Sequence, residues 1–276
     1  MIDLNFTSYH TTIVTSLFNI NREGIDGRKW EQYLEWFRIT LSLNSPMVIF
    51  VEEDTYDFVK NCRGDKPTKI IVQKLEEVPY YRYNNKFSDI INSEIYKSKI
   101  NDPSRIECRS SLYNVIQFSK FGWIEIASEC NYFDTDLYLW LDAGISRFFG
   151  SNSIDVLREY PNIESIEKIG DLSTTLYLQV HMSYYPDLVY SNEIPWSYML
   201  DNRSYVAGGI LMASKKSISS IKKTIDSVLD DMINDHIINN EQIVLGYMIK
   251  KYPHLFKVFS CFAHIHSPYE ILKQLQ

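Results

Sequence analysis

Short apolar runs rich in β-branched residues alternate with longer stretches of helical spacing, and this alternation constrains the fold more than any other feature of the chain. Thr11 to Phe18, Pro46 to Val51, Lys69 to Gln73 and Asp136 to Leu141 each have the length and composition of a buried strand. Between them, Arg28 to Leu43 places Trp30, Tyr33, Leu34, Phe37 and Leu41 on one helical face. Glu53 to Cys62 reads as a short helix capped near Asp54. Ser110 to Ser128 carries Leu112, Val115, Ile116, Phe121, Ile124 and Ala127 as an apolar face. Strands joined by helical crossovers pair in parallel, so the expected class is a doubly wound α/β fold on a parallel sheet.

The pattern continues less regularly beyond residue 150. Thr174 to His181, Ser204 to Ala213 and Phe256 to Ser260 read as strands, and Lys215 to Asn234 and Asn239 to Lys251 as amphipathic helices. Pro79 to Pro103 is irregular and tyrosine-rich, with room for a small helix, and a polar stretch runs to Asp171. No repeat, low-complexity tract or long linker interrupts the chain, so a single domain over residues 1–276 is expected.

Charge narrows the partners. With 28 Lys and Arg against 35 Asp and Glu the net charge is −7, which disfavours a general nucleic-acid binder needing a basic face. The four cysteines are scattered, without a CxxC, which fits a reducing compartment better than a zinc ribbon or a disulfide scaffold. Met1 to His10 lacks the basic and apolar regions of a leader, and no run approaches the roughly 20 apolar residues of a membrane span. The expected location is therefore cytoplasmic, with no transmembrane anchor and with room for an oligomer.

Chemistry concentrates at Asp136-Leu-Tyr-Leu-Trp-Leu-Asp-Ala-Gly-Ile-Ser-Arg147. A hydrophobic strand that delivers Asp142 and then small residues puts a carboxylate at the carboxyl edge of a sheet, where open α/β sheets bind ligands. Such a group can share Mg²⁺ or Mn²⁺ with substrate phosphates; it can also simply start a turn. The literal Asp134-Thr-Asp136 precedes the strand and so belongs to the opposite edge. Ala207-Gly-Gly209 inside a strand marks a bulge or the close approach of a backbone or ligand. Asn239-Asn-Glu-Gln242 has the makings of a helix cap, with Glu241 complementing the dipole. In His264-Ile-His266 an extended backbone points both rings one way, and imidazole leans toward manganese; a surface or core pair is the plain alternative. Phe18-Asn-Ile-Asn-Arg22 offers amides to a base or ribose and Arg22 to a phosphate. No P-loop, GxGxxG, GxSxG or HExxH occurs.

In this order the pieces resemble a glycosyltransferase of the GT-A fold, which implies a single Rossmann-like α/β domain with a mixed, mainly parallel central sheet. More narrowly, Val14 to Arg22, Ser119-Lys120 and Tyr132 to Arg147 resemble the HtrL/YibB (WlaTC-like) family of bacterial and viral glycosyltransferases. The resemblance implies a nucleotide-binding half over 1–147 and an acceptor and donor-sugar half over 148–276. It implies transfer of a hexose from a nucleotide-sugar donor, a UDP-sugar by preference, to a hydroxyl of a glycan or glycoprotein acceptor. It would have Thr15, Asn19 and Arg22 hold the nucleotide, Lys120 lie near the diphosphate and Asp142 bind Mn²⁺ or Mg²⁺. Gly208 and Gly209 would line the donor sugar, with Glu241 and Gln242 facing the sugars; in an inverting enzyme Glu241 would be the acceptor base. His264, with Pro268 after it, resembles a late metal-ligand histidine of some such enzymes, with His266 as the fallback. One departure is that Asp142-Ala-Gly144 supplies no second carboxylate. The competing readings are a nucleotidyltransferase of similar fold, which would show a glycine-rich first loop, and a non-catalytic nucleotide- or carbohydrate-binding module.

Overall fold

Among the described residues seven strands form one sheet in the order β3-β2-β1-β4-β6-β5-β7. They are β1 (Thr11–Leu17), β2 (Met47–Val51), β3 (Thr68–Val72), β4 (Leu137–Leu141), β5 (Leu176–His181), β6 (Val206–Ser214) and β7 (Phe256–Cys261). The structure is a computed structural model and describes residues 10–152, 159–262 and 269–276. β1 to β4 run parallel, as expected of strands joined by helical crossovers, and β5 and β7 pair in parallel. β6 is antiparallel to both its neighbours and joins the two halves of the chain into a single sheet.

Each face of the sheet carries its own core. Alternation along β1 sends Val14 to one face and Ile13 and Leu17 to the other. The first face packs under the helices Ser111–Cys130, Lys215–Asn234 and Glu241–Lys251; the second packs under Trp30–Thr40 and Ile163–Ile169. Ser111–Cys130 starts on Ser110, whose hydroxyl accepts from the Tyr113 N–H, and ends at Asn131 in the left-handed conformation that asparagine tolerates. Its Trp123 stacks on Phe18 at 5.4 Å and on Trp140 of β4 at 5.9 Å, tying helix to sheet.

Three local expectations change. The helix over Glu53–Arg63 is flanked by Glu52 and has no side-chain cap, since the Glu52 carboxylate accepts the Asn19 N–H at 2.8 Å. The tyrosine-rich segment holds two helices, Asn84–Asn92 and Glu94–Lys99, because Tyr83, Phe87, Ile90 and Ile91 pack into the core. The polar stretch before Asp171 contains the helix Ile163–Ile169, with Ile166 and Ile169 buried. Among the described residues no helix is long and apolar enough to cross a membrane.

Candidate active site

A cleft of about 200 Å³ opens where β1 and β4 end, at the carboxyl edge of the parallel strands. β1 feeds Asn19, Ile20 and Asn21 into it through a loop in which the Asn19 side-chain carbonyl accepts the Asn21 N–H at 3.0 Å. Asn21 sits in the left-handed region (φ 54°) and turns the chain into the short helix Arg22–Asp26. β4 delivers Asp142 to the cleft and β4's Trp140 lies on the same face two residues earlier, so the indole N–H reaches the Asp142 Oδ1 at 2.7 Å.

Beneath Asp142 lies Lys120, 1% exposed. Its ammonium donates to the Glu241 Oε1 at 2.8 Å and the Gly208 carbonyl at 2.9 Å, and lies 3.5 Å from the Asp142 Oδ1. Burial works against the ammonium, but the carboxylates of Asp142 and Glu241 outweigh it and hold its pKa above that of an ordinary lysine. Glu241 is 1% exposed and opens a helix whose N-cap, Asn240, accepts the Ile243 N–H at 3.1 Å, so the capping expectation and the buried ion pair coexist. Among the described residues the Asp142 Oδ2 has no partner, and the side chain is 37% exposed. One negative charge is thus matched by Lys120 and the other faces the cleft.

The glycine pair explains how a lysine can reach this point. β5 and β6 lose register where Leu178 faces Leu211 and Gln179 faces Ala207, so Gly208 and Gly209 lie on a bulge. The bulge turns the Gly208 carbonyl to Lys120 and the Gly209 carbonyl to the Asp142 N–H at 2.9 Å. A Cβ at Gly208 would meet the Glu241 Oε1 at 2.4 Å and the Gln242 Cγ at 2.6 Å; at Gly209 it would meet the Tyr269 hydroxyl at 2.8 Å. These glycines make room for protein side chains and do not line the cleft, against the expectation that they contact a donor sugar.

The other expected residues divide. Asn19, Arg22, Lys120 and Asp142 all line the cleft. Arg22 is held by Asp26 and lies over the Tyr113 ring, 4.8 Å from its centroid. Thr15 does not line it: strand alternation gives the opposite face to that of Ser16, and Thr15 is fully buried with an unpartnered hydroxyl. Gln242 packs beside Gly208, and Glu241 is enclosed. His264, His266 and Pro268 lie outside the described residues. Asp134 and Asp136 precede β4 and so sit at the other edge of the sheet, as read from the sequence.

Several cleft residues carry no functional expectation from the sequence. Tyr113 and Gln117 share a helical stripe with Lys120 at spacings of about three to four residues, and Trp30 and Tyr33, read as part of an apolar helical face, line the cleft as well. Those spacings were the available signal. Burial, then Glu241 and Glu107, push the Tyr113 pKa up, so its phenol stays a neutral donor. Arg147 completes the lining beside Asp142 and Gly144.

Among the described residues no three His, Cys, Asp or Glu side chains converge as a metal site. Among the described residues Asp142, with one unpartnered oxygen, fits Mg²⁺ or Mn²⁺ as a single protein ligand alongside substrate phosphates, a donor set these hard cations accept.

Comparison with known proteins gives three findings. The family model described as "Bacterial protein of unknown function (HtrL_YibB)" matches residues 9–266. Protein HtrL of Escherichia coli (strain K12) is 22% identical over 261 residues, spanning 90% of this chain and 87% of that protein. The crystal structure of the galactosyltransferase LgtC, in complex with donor and acceptor sugar analogues, aligns over 91% of this chain and 73% of that one, at 12% identity and a TM-score of 0.45. With a family match that runs through both halves of the sheet, the chain belongs to the HtrL/YibB family.

Proposed function

We propose that this chain is a glycosyltransferase that moves a hexose from a nucleotide-sugar donor, a UDP-sugar by preference, to a hydroxyl of a glycan or protein acceptor. The observation that carries the reading is the buried Lys120 ammonium bridging Asp142 and Glu241 at the floor of a cleft beyond β1 and β4. The sequence resemblance at Val14 to Arg22 and Tyr132 to Arg147 supports it from a separate direction.

In this reading the acceptor hydroxyl oxygen bonds to the sugar C1 as the bond from C1 to the diphosphate oxygen breaks; negative charge grows on the leaving diphosphate, which can take up the acceptor's proton. Lys120 offsets part of the carboxylate charge at the floor, so the diphosphate does not approach two unbalanced anions. Trp140, Lys120 and the Gly209 carbonyl fix Asp142 in place before substrate arrives. A bound Mn²⁺ or Mg²⁺, held by Asp142 with His264 and His266 as the remaining candidate ligands, would supply positive charge at the diphosphate. Asn19 and Arg22 hold the nucleotide, and Tyr113 and Gln117 offer further polar contacts. Glu241, enclosed and committed to Lys120, acts as a positioning residue for that ammonium; it has no open face for the acceptor base role the resemblance implies.

Calorimetry with UDP, ATP and uridine, with and without Mn²⁺, tests the reading. Metal-dependent UDP binding is expected. Preference for a nucleoside triphosphate would favour a nucleotidyltransferase, and no nucleotide binding at all would favour a binding module for other ligands; either result overturns the reading.

A further inference from the structure

Among the described residues four basic side chains line the cleft, and three have partners within the protein. Lys120 is committed to Glu241, Asp142 and the Gly208 carbonyl, Arg22 to Asp26, and Arg28 lies 3.9 Å from the same Asp26. The guanidinium of Arg147 makes no ion pair and no hydrogen bond among the described residues. It lies instead over two aromatic rings, 5.2 Å from the Trp36 centroid and 4.8 Å from that of Phe148. Stacking of this kind orients the planar group while leaving its in-plane N–H donors for another partner.

The backbone under Arg147 is strapped down. It sits on the turn Ile145–Phe148, which begins three residues after Asp142. Thr40 donates to the Ala143 carbonyl at 3.1 Å, Ser146 donates to the Trp36 carbonyl at 2.6 Å, and the Ile145 N–H donates to the Asp142 carbonyl at 2.9 Å. The turn is therefore fixed to the helix Trp30–Thr40 on one side and to β6 through Asp142 on the other. Charge adds a reason for a second cation. Lys120 balances one of the two carboxylates, so the floor keeps a net negative charge, and a pyrophosphate entering there brings more.

We infer that Arg147 is a binding residue for the pyrophosphate of the nucleotide, donating its paired N–H groups to phosphate oxygens on the Asp142 side of the cleft. The inference rests on the nucleotide-sugar reading above and adds to it the residue that separates a nucleoside diphosphate from a nucleoside. Arginine suits this task through its bidentate geometry as well as its charge.

The test is calorimetric titration of the full chain with uridine and with UDP at fixed Mn²⁺, for wild type, R147Q and R147K. R147Q weakens UDP about 10- to 100-fold, the loss of charge-assisted hydrogen bonds, and leaves uridine within about twofold. R147K, which keeps the charge without the fork, falls between wild type and R147Q, and it carries the test should R147Q fold poorly. Wild type that binds UDP while both variants match it overturns the role of Arg147 and leaves the nucleotide reading standing. Equal weakening of uridine and UDP also overturns it, because the residue would then act on the shape of the cleft. Wild type that binds neither ligand removes the nucleotide reading itself, and this inference with it.

Discussion

At Lys120, burial and charge oppose each other, and the outcome depends on Glu241. An ammonium at 1% exposure beside a carboxylate at 2% is stable only while both are present. K120M leaves Glu241 buried without its cation and is expected to cost about 3–5 kcal/mol in urea unfolding. E241Q keeps an oxygen for the ammonium and is expected to cost less. The double variant K120M/E241Q should be more stable than the sum of the single effects by about 1–3 kcal/mol, and strict additivity would show that the two side chains do not act as a pair. Asp142 at a strand end and Glu241 at a helix start were visible in the sequence by residue type and position, whereas Lys120 came only with the family resemblance. The contact between them was not visible, because Lys120, Asp142 and Glu241 lie far apart in the chain and meet only when Ser111–Cys130 crosses the sheet. Thr15 shows the converse. The resemblance would have it hold the nucleotide, and strand parity, fixed by which neighbours are buried, places it behind the cleft that Ser16 lines.

Among the elements, β6 carries the most local strain on choice of residue. Glycine at 208 lets Glu241 and Gln242 approach the strand, so G208A forces Glu241 away from Lys120 and is expected to lose at least about 2 kcal/mol. G150A, where a Cβ meets nothing within 4 Å, is the control and should stay within about 0.5 kcal/mol of wild type. Equal stability of the two variants would mean that the bulge can relax around a methyl group. The glycine pair was legible as a place of close approach; what approaches it was not, since the sequence cannot say whether a ligand or a side chain fills the space. On β5, His181 is buried against Tyr184, with Gln179 at 3.3 Å, and desolvation lowers its pKa from 6.5 to about 4. The unfolded chain therefore takes up a proton that the folded one refuses. Stability from this site is complete above about pH 6.5 and is lost as pH falls from there to about 4, a change of up to about 3 kcal/mol. H181Q should remove that part of the pH dependence in unfolding experiments; a slope identical to wild type would show that His181 binds its proton as readily in the folded chain as in the unfolded one.

For the molecule as a whole, alternating runs of strand and helix were enough to anticipate the parallel half of the sheet, because each β-branched run is short and each helix has one apolar stripe. The antiparallel insertion of β6 between β4 and β5 was beyond that reasoning, since strand order depends on which buried surfaces match. The same topology matters for function. Inserting β6 beside β4 brings the Gly208 and Gly209 carbonyls to the edge where Asp142 emerges, so the second half of the chain supports from beneath a cleft whose described lining comes from residues 16–147.

The account turns on Asp142 as the carboxylate that organises the donor diphosphate at that edge. The most direct measurement is donor turnover, read as UDP release from UDP-sugars, by wild type and by D142A of matched thermal stability. The account predicts a fall of about 100-fold or more in D142A with the fold intact. Undiminished turnover in D142A would contradict it.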